Sequence, residues 1–232
     1  MGLITTGQQP EDVLAGYAQY QGQTNSCGEF AVATSLSLLE SKPDWLTGQA
    51  VVEVADQWTL LDSVMWMGLL GVLAGRSLRM WPGGPTTLWQ VANLARKLAQ
   101  SRGMAVNAQP HLDSTPEDLV KALGQPRTVA VVIVAWDDKT QAKMDDPNQA
   151  VLALSSRPKI EVGNVTIDYS GHVMVLGARD PDQNRWGFIN SWYQGAEVKR
   201  LCWMTDADFA EVWGYGRSPF FLARTWVSIA LG

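Results

Sequence analysis

The chain has 232 residues, 46% of them apolar and 18% charged, with a formal net charge of −5. So much apolar surface excludes a disordered chain, and the length suits one hydrophobic core better than two. An acidic balance with scattered Lys and Arg lacks the basic footprint of a nucleic-acid binder. The two cysteines, Cys27 and Cys202, lie too far apart in sequence to suggest a disulfide framework, and no Cys/His cluster suggests zinc.

No basic segment followed by an apolar run opens the chain, so no secretory signal is expected. The longest apolar stretch, Val64 to Ala74, contains two glycines and is too short to span a bilayer. The expectation is a chain that is cytoplasmic as synthesised, with signal-independent delivery to another cell left open.

The first half reads as helical. Glu11 to Tyr20 suits a short helix, and the polar run Gln21-Gly22-Gln23-Thr24-Asn25-Ser26 suits a loop that ends at Cys27. Glu29 to Glu40 carries apolar residues at helical spacing and stops before Pro43. Asp44 to Ala74 is mostly helical in pattern, with Trp45, Trp58 and Trp66 expected against the core. Trp81 to Pro85 is a loop that would line a cleft, and Thr86 or Thr87 would cap a helix running through Ala99.

The second half changes character. Ser114-Thr115-Pro116-Glu117-Asp118 combines a cap, a proline and first-turn acids, so a helix should run to about Leu123 and end at Gly124. Thr128 to Trp136 is rich in β-branched residues and reads as a buried strand. Further strands are expected at Lys159 to Asp168, His172 to Ala178, Trp186 to Ser191, Glu197 to Trp203 and Pro219 to Ile229. Asp137 to Gln149 reads as polar loop. Thr205 should open a short helix with Phe209, Val212 and Trp213 on one face. Helices first and an antiparallel sheet second argue an α+β class. One domain over residues 1–232 is expected, with a helical subdomain at about 11–125 and a sheet subdomain at about 126–232.

Cys27 has the most informative surroundings. At the start of a helix it feels the positive end of the helix dipole, which favours the nucleophilic thiolate. Cysteine is more commonly a small buried hydrophobe. Cys202, between Leu201 and Trp203 in an expected strand, takes that role. A nucleophilic thiol needs a base, and the chain offers only His111 and His172. His111 sits in a Pro-flanked polar connection and reads as a surface residue. His172 follows Ser170-Gly171 and opens an apolar strand, where it would project into a cleft. A hairpin turn at Asp180 to Asn184 would bring Asn190 beside His172 as the orienting partner. Asp180, before Pro181, reads instead as a turn former.

Taken in order, Gln21-Gly22, Ser26-Cys27-Gly28, Ala31, His172 at a strand start and Asn190-Ser191-Trp192 resemble the motifs of papain-like cysteine peptidases. Members of that family carry a Gln six residues before the Cys, as Gln21 stands to Cys27. Their His and Asn follow the Cys by roughly 130–150 residues, against about 145 and 163 for His172 and Asn190. Three features depart from papain itself. No aromatic residue follows the Cys, no cysteine framework is present, and Lys42 to Gln109 is unmatched. The Cys-Gly step and the pattern Met204-Thr205-x-x-Asp208-Phe209-x-x-x-Trp213 are closer to bacterial papain-like toxin effectors and double-glycine leader peptidase domains. Asn rather than Asp as the third residue is closer to papain.

The resemblance implies a papain-like fold with the nucleophile at a helix N-terminus in the helical half. It implies a cysteine endopeptidase working through an acyl-enzyme. Cys27 would attack, His172 would take and return the proton, and Asn190 would orient the imidazole. Trp192 would shield that pair, and the Gln21 side chain with the Cys27 backbone N–H would form the oxyanion hole. No metal or cofactor is implied. A protein substrate is, and a cognate inhibitor or immunity protein is the expected partner of a toxin-like effector. Two other readings use the same residues: acyl transfer or deamidation through the same thiol, and a catalytically dead binding module on the same scaffold.

Overall fold

The computed structural model describes residues 2–22, 24–59, 77–80, 82, 84, 86–146, 160–162, 165–167, 171–192, 201–215 and 222–232. Trp66, Trp81, most of the Leu60 to Pro85 segment, and the loops at Ser170 and Gln194 lie outside these residues. So do the ends of the expected strands at Lys159, Asp168, Glu197 and Pro219.

A seven-stranded antiparallel sheet organises the chain. In sequence order its strands are β1 (Ile4–Thr5), β2 (Val106–His111), β3 (Thr128–Ala135), β6 (Gly171–Asp180), β7 (Arg185–Ile189), β8 (Cys202–Thr205) and β9 (Thr225–Leu231). A separate two-stranded hairpin supplies β4 (Ile160–Val162) and β5 (Val165–Ile167). The spatial order is β2-β9-β3-β6-β7-β8, with β1 pairing beside β6. The run TVAVVIVA of β3 is buried at every position. Such a continuous apolar strand needs cover on both faces, and the fold provides it.

On one face lie α2 (Cys27–Leu39), α3 (Gly48–Asp56) and α4 (Leu88–Ser101). They pack with Val129, Val131, Ile133, Val173 and Val175 into one core. On the other lie α5 (Pro116–Leu123) and α7 (Asp206–Gly214), which pack with Val132, Val134, Met174 and Leu176 into a second core. Alternation along β3 and β6 sends neighbouring residues to opposite cores. Two further short helices among the described residues are α1 (Glu11–Ala15) and α6 (Asp138–Asp145).

Local chemistry explains the helix ends. Thr87 and Gln90 form a reciprocal capping box at the start of α4. Thr115 and Asp118 do the same for α5, with Pro116 in its first turn and Gly124 at its C-cap. The Thr205 hydroxyl accepts from the Asp208 N–H to open α7.

Several expectations change. The segment from Lys159 to Asp168 forms a hairpin over its described residues, not one strand. Asp137 to Gln149 contains α6, because Asp137 accepts from the N–H groups of Lys139 and Thr140 and so caps a helix. The helix starting at Glu11 stops at Ala15, far short of Tyr20. Trp58 is exposed, with the Lys97 ammonium 3.5 Å above its ring, not in the core. His111 belongs to the edge strand β2, where it is half-buried and stacked on Trp226 at 4.1 Å. Pro110 and the polar VNAQPH sequence concealed that strand, since prolines are confined to edges. Among the described residues no helix is long and apolar enough to cross a membrane.

Candidate active site

Cys27 is the first residue of α2 and belongs to the first core. Its successor, Gly28, is closely approached by other side chains. A Cβ on Gly28 would stand 1.9 Å from Thr86 Oγ1 and 3.3 Å from Val91 Cγ2. The helix therefore starts directly beneath the segment that leads into α4. This close approach accounts for the missing aromatic after Cys27. The buried thiol is met by the backbone N–H groups of Gly28 and of Val173, the residue after His172.

His172 is fully buried near the start of β6, paired across to Val134. Its Nε2 lies 2.7 Å from Asn190 Oδ1. The same Oδ1 accepts the Trp192 backbone N–H at 2.9 Å, so the amide orientation is set and Nε2 must be the donor. In the neutral ring the acceptor is then Nδ1, which has no hydrogen-bond partner among the described residues. Trp192 stacks on the imidazole with ring centroids 3.6 Å apart. The hairpin that brings Asn190 here turns at Asp180, whose Oδ1 accepts from the N–H groups of Asp182 and Gln183. Asp180 is thus a turn former, held also by Arg185.

Gln21 is buried and anchored to the residue that follows Asn190. Its N–H donates to the Ser191 carbonyl at 2.9 Å, and its Oε1 accepts the Ser191 hydroxyl. Its Nε2 donates to the Thr24 carbonyl at 2.6 Å. A primary amide has two N–H donors, so a second remains after this bond. Cys202 lies in the second core, on the far side of the sheet from Cys27, and neither cysteine is in a disulfide.

Burial dominates the electrostatics. It pushes the Cys27 thiol up to about 12, with the Glu29 carboxylate adding to the rise and the two backbone N–H groups and Arg79 opposing it. It pushes the His172 imidazole down to about 3, against the Asn190 hydrogen bond. The helix position alone was expected to favour thiolate. In this closed arrangement desolvation outweighs the dipole, and the resting pair is neutral thiol and neutral imidazole.

A buried ion pair completes the surroundings. Arg79 Nε stands 3.3 Å from Glu29 Oε1, and both side chains are wholly shielded from solvent. Neither residue was picked out from sequence. The available signal was Glu29 itself, an acid in an otherwise apolar helix, which demands a cation when buried. Two clefts of about 750 and 610 Å³ lie elsewhere, one along β2, β9 and α5 and the other between α5 and α7. Neither is lined by Cys27 or His172. Among the described residues no cluster of His, Cys, Asp and Glu is placed to hold a metal ion.

No protein-family model matches the sequence, and no curated protein matches it. Among solved structures, one from Bacillus anthracis described as a C39-like peptidase superposes with a TM-score of 0.55 at 14% identity, covering 99% of this chain and 98% of that one. The fold is papain-like. Its helical first half and sheet-rich second half match that architecture, with the thiol at a helix N-terminus. Xylellain, a cysteine protease from Xylella fastidiosa, aligns over 98% of this chain and 91% of its own at 8% identity, with a TM-score of 0.41. Within the papain-like fold, Cys27, His172, Asn190, Gln21 and Trp192 occupy one contiguous neighbourhood.

Proposed function

We propose that this protein is a cysteine endopeptidase that cleaves protein substrates through an acyl-enzyme formed on Cys27. One observation carries the reading. His172 donates through Nε2 to a fixed Asn190 oxygen, which leaves Nδ1 without a hydrogen-bond partner among the described residues, next to the strand residue whose N–H meets the Cys27 thiol.

The Cys27 thiol passes its proton to His172 Nδ1 as the sulfur attacks the scissile carbonyl carbon. The oxyanion of the tetrahedral intermediate takes the second Gln21 Nε2–H and the Cys27 N–H. The latter is a first-turn helix donor with no intrahelical partner. The imidazolium then protonates the leaving amine as the C–N bond breaks. Water, losing a proton to His172, hydrolyses the thioester and regenerates the thiol. Because burial is the largest cause of both shifted pKa values, a polar substrate or water entering the site brings the two groups towards each other. Stacked Trp192 keeps water from the His172–Asn190 bond.

Mapping new protein N-termini made by the active protein and by Cys27→Ala tests this reading. Cleavages that vanish in Cys27→Ala and in His172→Ala support it. Equal cleavage by a folded Cys27→Ala protein overturns it. Intact substrates carrying a gain of about one dalton would identify deamidation through the same thiol. Restraint by a cognate inhibitor, as for a toxin-like effector, is a further part of the proposal and rests on the motif resemblance. Co-expression with the neighbouring open reading frame tests it, and a lack of both complex and protection counts against it.

A further inference from the structure

Arg79 is fully buried in the stretch between α3 and α4, although arginine is almost never so unless paired. Its guanidinium ties together the pieces of chain that surround the thiol. Nη2 donates to Ser26 Oγ at 3.1 Å and reaches the Asn25 carbonyl at 3.5 Å. Nε donates to the Gly84 carbonyl at 2.6 Å and pairs with Glu29. Nη1 donates to Asp56 Oδ1 at 2.8 Å. Asn25 and Ser26 link Gln21 and Thr24 to Cys27, Glu29 is in the first turn of α2, Asp56 ends α3, and Gly84 leads into Thr86, which packs on Gly28.

Ser26 sharpens the case. It is the N-cap residue of α2, yet its side chain accepts no hydrogen bond from the helix. A serine there usually caps. Here the hydroxyl accepts from Arg79, so its orientation answers to the guanidinium and not to the helix.

We propose that Arg79 is a positioning residue for the nucleophile turn, and that with Glu29 it sets the charge felt by the Cys27 thiol. The inference rests on Cys27 being the nucleophile. Only a planar fork of five donors serves carbonyls, a hydroxyl and two carboxylates at once; an ammonium does not. The charged groups around the thiol act in opposite directions. Glu29 on α2 opposes the thiolate and Arg79 favours it. From β6 the Val173 N–H favours the thiolate, and Asp56 on α3 acts on Glu29. Burial pushes the Glu29 carboxyl up to about 7 against the pull of Arg79, so its charge changes near neutrality.

Iodoacetamide alkylation of the full chain from pH 5 to 10, resolved by peptide mass, reads Cys27 and Cys202 separately. It is combined with thermal melting and with steady-state cleavage of a protein substrate. Glu29→Gln should move the Cys27 alkylation profile to lower pH. Arg79→Lys should lower kcat about 100-fold with little change in KM, as misplacement of the reacting groups does. Ser26→Ala loses no cap but does lose one hydrogen bond to a charged group, so it should melt modestly below the wild type and lower kcat about tenfold with KM little changed. If Arg79→Lys fails to fold, the other two variants decide. A folded Ser26→Ala protein with wild-type kcat overturns the positioning role. A Glu29→Gln profile that superimposes on the wild type overturns the charge role. A folded Cys27→Ala protein that cleaves the protein substrate as fast as the wild type overturns the nucleophile reading, and this inference with it.

Discussion

Against α2, α3 and α4 the sheet packs alanine, valine, leucine and isoleucine, with Tyr17 and the single thiol Cys27 as the exceptions among the buried residues of that core. Against α5 and α7 it packs Trp136, Trp186, Trp192, Trp213 and Trp226 with Phe188 and Phe209. The two faces do different work. Small side chains let the backbone of α2 approach the sheet closely enough for a helix-terminal thiol to meet the N–H of Val173. Large aromatics bury much area with few rotamers to fix, and they form the rigid backing from which Trp192 stacks on His172. The candidate site lies at the seam, with its thiol in one core and its stacking ring in the other.

This division can be broken from either side. Phe209 touches Trp186, Phe188 and Trp213 with centroids 5.1–5.4 Å away. Phe209→Ala should cost about 3–5 kcal/mol in urea unfolding, while Cys27 alkylation in the folded protein stays at the wild-type rate. A matching loss of thiol reactivity would mean that the faces are not separable. Gly28→Ala acts on the other face. Overpacking against Thr86 and Val91 should cost about 1–3 kcal/mol, and the displaced helix start should reduce peptide cleavage about 100-fold. Full activity in that variant would show that α2 need not lie so close.

The pH dependence of stability sharpens the contrast further, because Glu29 on α2 and His172 at the seam are buried and have shifted pKa values. His172 has a depressed pKa in the folded state. Its contribution is intact above about pH 6.5 and is lost as pH falls towards 3. Glu29 has a raised pKa. Its contribution is full below about pH 4.5 and is lost as pH rises through 7. Between those limits the two slopes oppose each other. Glu29→Gln should unmask the His172 slope, so that stability rises with pH from about 4.5 to 6.5 by up to about 1.4 kcal/mol per unit. Urea melts across that range check it, and an unchanged pH profile would contradict it. The smallest effect is expected at the ring that joins the two cores. Trp192→Phe should lose about 0.5–1.5 kcal/mol of stacking and leave the fold intact by circular dichroism.

The sequence was most informative where structure is local. The capping box before α5, the threonine caps of α4 and α7 and the β-branched run of β3 are short-range features, and each element formed where its pattern stood. The motif residues were legible for a similar reason, since the hairpin between β6 and β7 puts His172 and Asn190 together by its own geometry. Elements resting on distant partners were not. β2 has a polar, proline-bearing sequence and is a strand only because β9 pairs with it from Val106 to His111. Trp58 reads as core and lies outside it, covered by a lysine from α4.

From the amino-acid order alone came an α+β chain and a short set of residues for thiol chemistry. Which face the described tryptophans serve, how closely Gly28 is approached, and how Arg79 gathers the nucleophile turn belong to the tertiary structure. All three depend on contacts between segments far apart in the chain. Protonation belongs there as well. A helix N-terminus favours thiolate by a dipole that any sequence reader can place. Burial, which the sequence does not display, opposes that preference, pushing the thiol up and the imidazole down.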